Sequence, residues 1–156
     1  MLSNSPSVIA ARVDYFRQLM TGGTVPAREK ELAYFTVGLV TGTTFVAATH
    51  GRYLVEEHGL DEATAGSIAR GELSELGDRD RAVVSFARAV TRDPTAVSDV
   101  DFETLRSVGY DDENTMELLL LTCEAQTAAT IVAATGMALA DRDESPPPYL
   151  PASFDL

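Results

Sequence analysis

The chain has 156 residues, 45% of them apolar, with 12 basic against 24 acidic residues and a formal charge of −12. That length suits one domain burying roughly 70% of its unfolded surface, so a disordered chain is not expected. So acidic a surface repels phosphate backbones and anionic lipid, and neither nucleic acid nor membrane is an expected partner.

Aromatic residues are few, Trp is absent and Ala is abundant, a composition suited to close-packed helices. Ser5-Pro6 can start a first helix with Val8, Ile9, Val13, Phe16 and Met20 along its inner side, ended by Thr21-Gly22-Gly23. Thr24 and Pro26 open a second, which carries Leu32, Phe35, Val37, Leu39 and Val40 up to Gly42. A third runs from about Thr43 to His58 and ends at a left-handed Gly59. Asp61 caps a fourth bearing Ala65, Ile68 and Ala69, closed by Gly71. Gly77-Asp78 leads into a fifth with Val83, Val84, Phe86, Ala87 and Val90 inside, broken at Asp93-Pro94. Here Asp78-Arg79-Asp80-Arg81 reads as a solvated helix start.

Ser98 and Asp101 form a capping pair for a sixth helix with Phe102, Leu105 and Val108, ended by Gly109. The last helix, about Asp112 to Met137, is apolar around most of its circumference and belongs in a core or against another subunit. Its lone Cys123 follows an apolar run and reads as a buried, inert thiol. Apolar runs stop well short of ~18 residues, which argues against a membrane span. Met1 to Ala11 lacks a signal-peptide pattern, so the cytoplasm is the default expectation. Beyond Asp141 a tail contains Pro146-Pro147-Pro148, which favours extended backbone, and Tyr149, Leu150 and Phe154 could dock on a neighbouring surface or lie loose.

One region carries chemistry. In a helix Thr43, Val46 and His50 share a stripe, and a short connection at Gly42 would bring Glu31 from the preceding helix to the same cleft. A carboxylate beside an imidazole sets its tautomer and raises its basicity. A structural role stays open beside this one: His50 as a satisfied core residue, and Glu31 paired with Arg28 or Arg52. Two distant histidines and one cysteine offer no metal-binding spacing, and no phosphate loop or serine elbow is present.

The segment Arg28-Glu29-Lys30-Glu31-Leu32, followed by Thr43 to Arg52, resembles the carboxymuconolactone decarboxylase and AhpD-like family. That family's pattern is an Arg-x-x-Glu-Leu helix followed by a Cys-x-x-Cys-x-x-x-His helix. Glu31 and His50 match its glutamate and histidine, Phe45 its aromatic, and Ala47-Ala48 its small residues. Thr43 and Val46 stand where the two redox cysteines would be. Downstream, Gly59-Leu60-Asp61-Glu62, Ala82 to Asp93 and Gly109 to Leu121 continue the resemblance over roughly residues 12 to 138, while Gln126 and Thr130 depart from the Asn and Arg common in relatives.

The resemblance implies an all-α, AhpD-like bundle of about seven helices over residues 1–140, with 141–156 as a tail, assembled as a trimer or hexamer. Disulfide exchange needs a thiolate and a resolving thiol, so dithiol peroxidase activity is not expected. What the resemblance leaves is a cofactor-independent acid–base enzyme for a small organic acid or polyketide-like substrate. His50 and Glu31 would be catalytic, and Thr43, Val46, Phe45 and Tyr34 would bind substrate. A non-catalytic binding or assembly protein on the same scaffold is the alternative.

Overall fold

A computed structural model describes residues 5–152 of the chain, so Phe154 in the tail lies outside the described residues. Among the described residues seven α-helices follow in chain order: α1 Pro6–Thr21, α2 Ala27–Val40, α3 Thr44–Glu56, α4 Glu62–Ala69, α5 Asp78–Arg92, α6 Asp99–Ser107 and α7 Asp112–Thr135. No strand occurs among the described residues. The central element is α2, on which α3, α5 and α7 all pack, and every residue from Glu29 to Leu39 is buried. Its second half, Leu32 to Val40, is apolar on nearly every side, and such a segment is driven to a central position.

Two glycines make the α2–α3 hairpin possible. Gly42 adopts φ 66°, a left-handed turn that costs other residues more. Gly38 lies where the helices cross, and a Cβ there would sit 2.8 Å from Cα of Ala47. The close crossing sets the two helices in the register that the site requires.

The charged N-terminal half of α2 is buried because each charge has a partner. Lys30 pairs with Glu117 of α7 at 2.6 Å and also donates to the backbone carbonyls of Leu19 and Gly22. Glu29 accepts from Arg79 Nε at 2.6 Å and from the Tyr110 hydroxyl, while the Arg79 guanidinium lies 4.6 Å over the Tyr110 ring. Arg28 pairs with Asp80 at 2.6 Å. The reading of Asp78 to Arg81 as a solvated helix start is therefore corrected at Arg79 and Asp80. They clamp α5 to α2, because partners 50 and 52 residues away supply charges that local sequence does not reveal.

Three further expectations are corrected. The inner side foreseen for α1 is half right: Phe16, Leu19 and Met20 pack on the core, but Val8 and Val13 are exposed. The helix lies at the rim, touching α2 and α7, and buries none of its residues fully.

On α7, Leu118, Leu121, Ala125 and Ala129 point inward, whereas Met116, Leu120 and Cys123 face outward. Cys123 is thus exposed, since a helix apolar all round does not announce which stripe its neighbours cover. This helix also has an 18-residue window of mean hydropathy 1.4, long and apolar enough by composition to cross a membrane. The earlier count of unbroken runs missed this because scattered Thr and Glu lower a window's average only slightly. Within the bundle, Glu117 and Glu124 of that helix are both held in ion pairs.

After α7, Gly136 turns at φ 67° and a short 3₁₀ turn, Leu139–Arg142, starts the tail. The tail folds back onto its own domain. Arg52 of α3 pairs with Glu144, Pro147 is buried, and the Tyr149 ring meets Phe35 edge-on at 6.4 Å.

Candidate active site

His50 and Glu31 meet. The hairpin at Gly42 places α3 antiparallel to α2, and His50 Nδ1 lies 2.6 Å from Glu31 Oε2, with both residues only 8% exposed. Arg28 and Arg52, the other candidate partners of Glu31, are occupied by Asp80 and Glu144. An ionised carboxylate can only accept, so Nδ1 carries the proton of this bond. In the neutral form of such a ring the other nitrogen, Nε2, presents a lone pair.

Tyr34, one turn beyond Glu31, stacks on the imidazole with centroids 4.3 Å apart and planes at 29°. Phe16 of α1 backs the Tyr34 ring edge-on at 5.7 Å. The Tyr34 side chain is fully buried and its hydroxyl has no hydrogen-bond partner among the described residues. Burial pushes its pKa well above the ordinary phenol value, with the charge of Glu124 adding to the rise, so the hydroxyl stays a donor.

These residues border a cavity of about 230 Å³. Of the residues singled out in the sequence, it gathers His50, Tyr34, Phe45 and Val46. Glu31 stands behind His50 and is not on the cavity wall, so its carboxylate meets the cavity only through the imidazole. Thr43 is not on the wall either. It borders a neighbouring cleft of about 630 Å³, where its hydroxyl lies 3.0 Å from that of Thr41. The stripe placing Thr43 beside Val46 and His50 assumed helical backbone, but Thr43 precedes the helix at φ −90°, ψ 88°. Phe45, Val132 and Met137 border both spaces and form the partition between them.

The structure adds residues that the sequence reading missed. Thr49 lines the cavity and its buried hydroxyl oxygen has no partner among the described residues. It follows Val46 by three positions, so helical spacing alone could have found it. Arg12 comes from α1 and pairs with Glu124 of α7 at 2.6 Å, bridging two helices beside Tyr34. Burial raises the Glu124 carboxyl above its ordinary range, with Arg12 opposing. No local signal links positions 12 and 124. The far wall is Ala128, Ile131 and Val132, while Gln126 turns toward the Val90 carbonyl and Thr130 is exposed. No group of three or more His, Cys, Asp or Glu placed to hold a metal occurs among the described residues.

No protein-family model and no curated protein matches the chain. Solved structures do. An uncharacterized peroxidase-related protein from Silicibacter sp. TM1040 superposes with a TM-score of 0.77 at 22% identity, over 83% of this chain and 68% of that one. An alkylhydroperoxidase AhpD core protein from Ralstonia eutropha JMP134, also an uncharacterized peroxidase-related protein, gives 0.78 at 24% identity over 88% and 73%. A protein of unknown function from Agrobacterium tumefaciens, provisionally named as an AhpD antioxidant-defence protein, gives 0.79 at 21% over 87% and 92%.

This chain has the AhpD-like fold. Within that fold the positions that the resemblance assigns to redox cysteines hold Thr43 and Val46. The single thiol, Cys123, is exposed on α7 and is not on the wall of the His50 cavity.

Proposed function

We propose that this protein is a cofactor-independent acid–base enzyme acting on a small organic acid or polyketide-like substrate by decarboxylation, isomerisation or ring closure. The observation that carries the reading is the 2.6 Å contact between His50 Nδ1 and Glu31 Oε2, made by a histidine that borders a cavity. The carboxylate holds the tautomer whose free Nε2 can take and return a proton, a role worth about 10²- to 10⁴-fold in rate. Dithiol peroxide reduction does not belong to this reading, because that chemistry needs two protein thiols and the sequence has one.

The test is solvent-deuterium incorporation into a panel of small keto acids and diketones. His50→Ala should abolish it and Glu31→Gln should slow it. Unchanged incorporation in both variants would refute the reading.

We also infer self-assembly, the trimer or hexamer implied by the family resemblance. Met116, Leu120, Cys123, Thr127, Thr130 and Ala134 are all exposed on α7. Their alternating spacing of four and three is the seam along which identical helices pack. The same surface supports the alternative reading, an assembly protein without catalysis, which predicts oligomers with no deuterium incorporation.

A further inference from the structure

We propose that the His50 cavity and the larger cleft beside it are two halves of one binding site for an elongated, largely apolar small molecule, and that the Met137 side chain governs passage between them. Placing the reacting end of that molecule at His50 rests on the acid–base reading above; the two-part shape of the site does not.

Size is the first reason. The His50 cavity measures about 230 Å³. A cavity of about 150 Å³ accepts one benzene ring, so this one takes a single ring with a short substituent and little more. Sites for larger organic molecules run to roughly 300–1,000 Å³. The neighbouring cleft, at about 630 Å³, falls in that range and the cavity does not. A two-ring or long-chain molecule with one end at His50 therefore extends beyond the cavity, and the cleft is the adjoining space that shares three wall residues with it.

Both spaces suit an apolar body. Val46 and Ile131 line the cavity, and Ala138, Leu139 and Pro146 line the cleft. Glu144 is the one charged residue among those described on the cleft wall, and Arg52 and Arg142 already hold it.

Of the three residues in the partition, Met137 is the one free to move. Val132 is buried within α7, where a β-branched side chain keeps essentially one rotamer. The Phe45 ring lies under the Arg142 guanidinium at 5.7 Å. Met137 stands beyond the helix, after the left-handed Gly136, and is only half-buried. Its N–H donates to the Val132 carbonyl at 3.1 Å, which fixes the backbone but leaves an unbranched thioether with three rotatable bonds. Rotation of that side chain changes the partition without moving a helix.

Benzyl alcohol, which fits the cavity alone, and 6-phenylhexan-1-ol, which does not, test the proposal by NMR on the full-length protein. One bound molecule of the long probe should show intermolecular contacts both to Ile131, which borders only the cavity, and to Ala138 and Leu139, which border only the cleft. Met137→Trp fills the passage, and overpacking of that kind should weaken the long probe by about tenfold or more while benzyl alcohol changes less than about twofold. Met137→Ala leaves the passage open and should hold the long probe within about threefold of wild type. Thermal melts check that both variants fold, and the wild-type contacts need no variant. Contacts confined to one space, binding of neither probe, equal weakening of both probes by Met137→Trp, or a tenfold loss in Met137→Ala overturns the proposal.

The two readings fail separately. Contacts to both spaces, with deuterium incorporation unaffected by His50→Ala, would keep the two-part site and remove the acid–base role. Incorporation lost in His50→Ala, with contacts confined to one space, would do the reverse.

Discussion

Removing the link between Glu31 and His50 should reveal how firmly the site is built. The two side chains meet at 2.6 Å with 8% exposure each, so water replaces the lost bond poorly. A hydrogen bond to an ionised partner contributes about 1.5–3 kcal/mol net, and the middle of that range, about 2 kcal/mol, fits this pair. Glu31→Gln keeps an acceptor of the same shape and should cost about 1 kcal/mol, or roughly 2–4 °C in Tm for a chain of this size. His50→Gln strands a buried carboxylate and should cost about 3 kcal/mol.

The double variant completes a cycle by urea unfolding, in which an interaction energy of about 2 kcal/mol is expected. Nitrogen-15 NMR of the imidazole should show the Nδ1–H tautomer in the wild type and a mixture in Glu31→Gln. An interaction energy within about 0.5 kcal/mol of zero, the additive limit for independent sites, together with an unchanged tautomer, would refute the claim that Glu31 orients His50.

Other outcomes follow from the same coordinates. Burial pulls the Glu117 carboxyl upward, but the Lys30 ammonium and the backbone N–H groups of Thr24 and Val25 outweigh it and hold its pKa below the ordinary value of 4.5. A depressed folded-state value stabilises above the unfolded pKa and is lost as pH falls through the folded one. Glu117→Gln should therefore cost about 3 kcal/mol at neutral pH, with the deficit shrinking as pH drops below about 4.5 in urea titrations; a pH-independent deficit would contradict the ion pair. Gly38→Ala should lose about 1–3 kcal/mol by forcing α3 off α2, and a melting temperature equal to wild type would disprove the close crossing. Leu120→Glu should convert oligomers to monomers in light scattering while the helical circular dichroism stays unchanged. A monomeric wild type would end the α7 seam argument.

Local chemistry accounts for most of what could be read in advance. Helix limits followed from caps and stops such as Asp61, Asp111 and Gly59, because those signals act over one turn of chain. The pairing of Glu31 with His50 was also legible, since a hairpin between consecutive helices brings together residues only 19 apart. Thr43 was misplaced for an equally local reason: helical geometry was extended one residue past where the helix begins.

What tertiary structure alone decided depends on partners distant in the chain. The outward turn of Cys123, the clamps of Arg79 and Asp80 and the Arg12–Glu124 bridge each require knowing which helices become neighbours. Periodicity identifies an apolar face but not what covers it. A charge cannot reveal its partner until packing has removed the water between them.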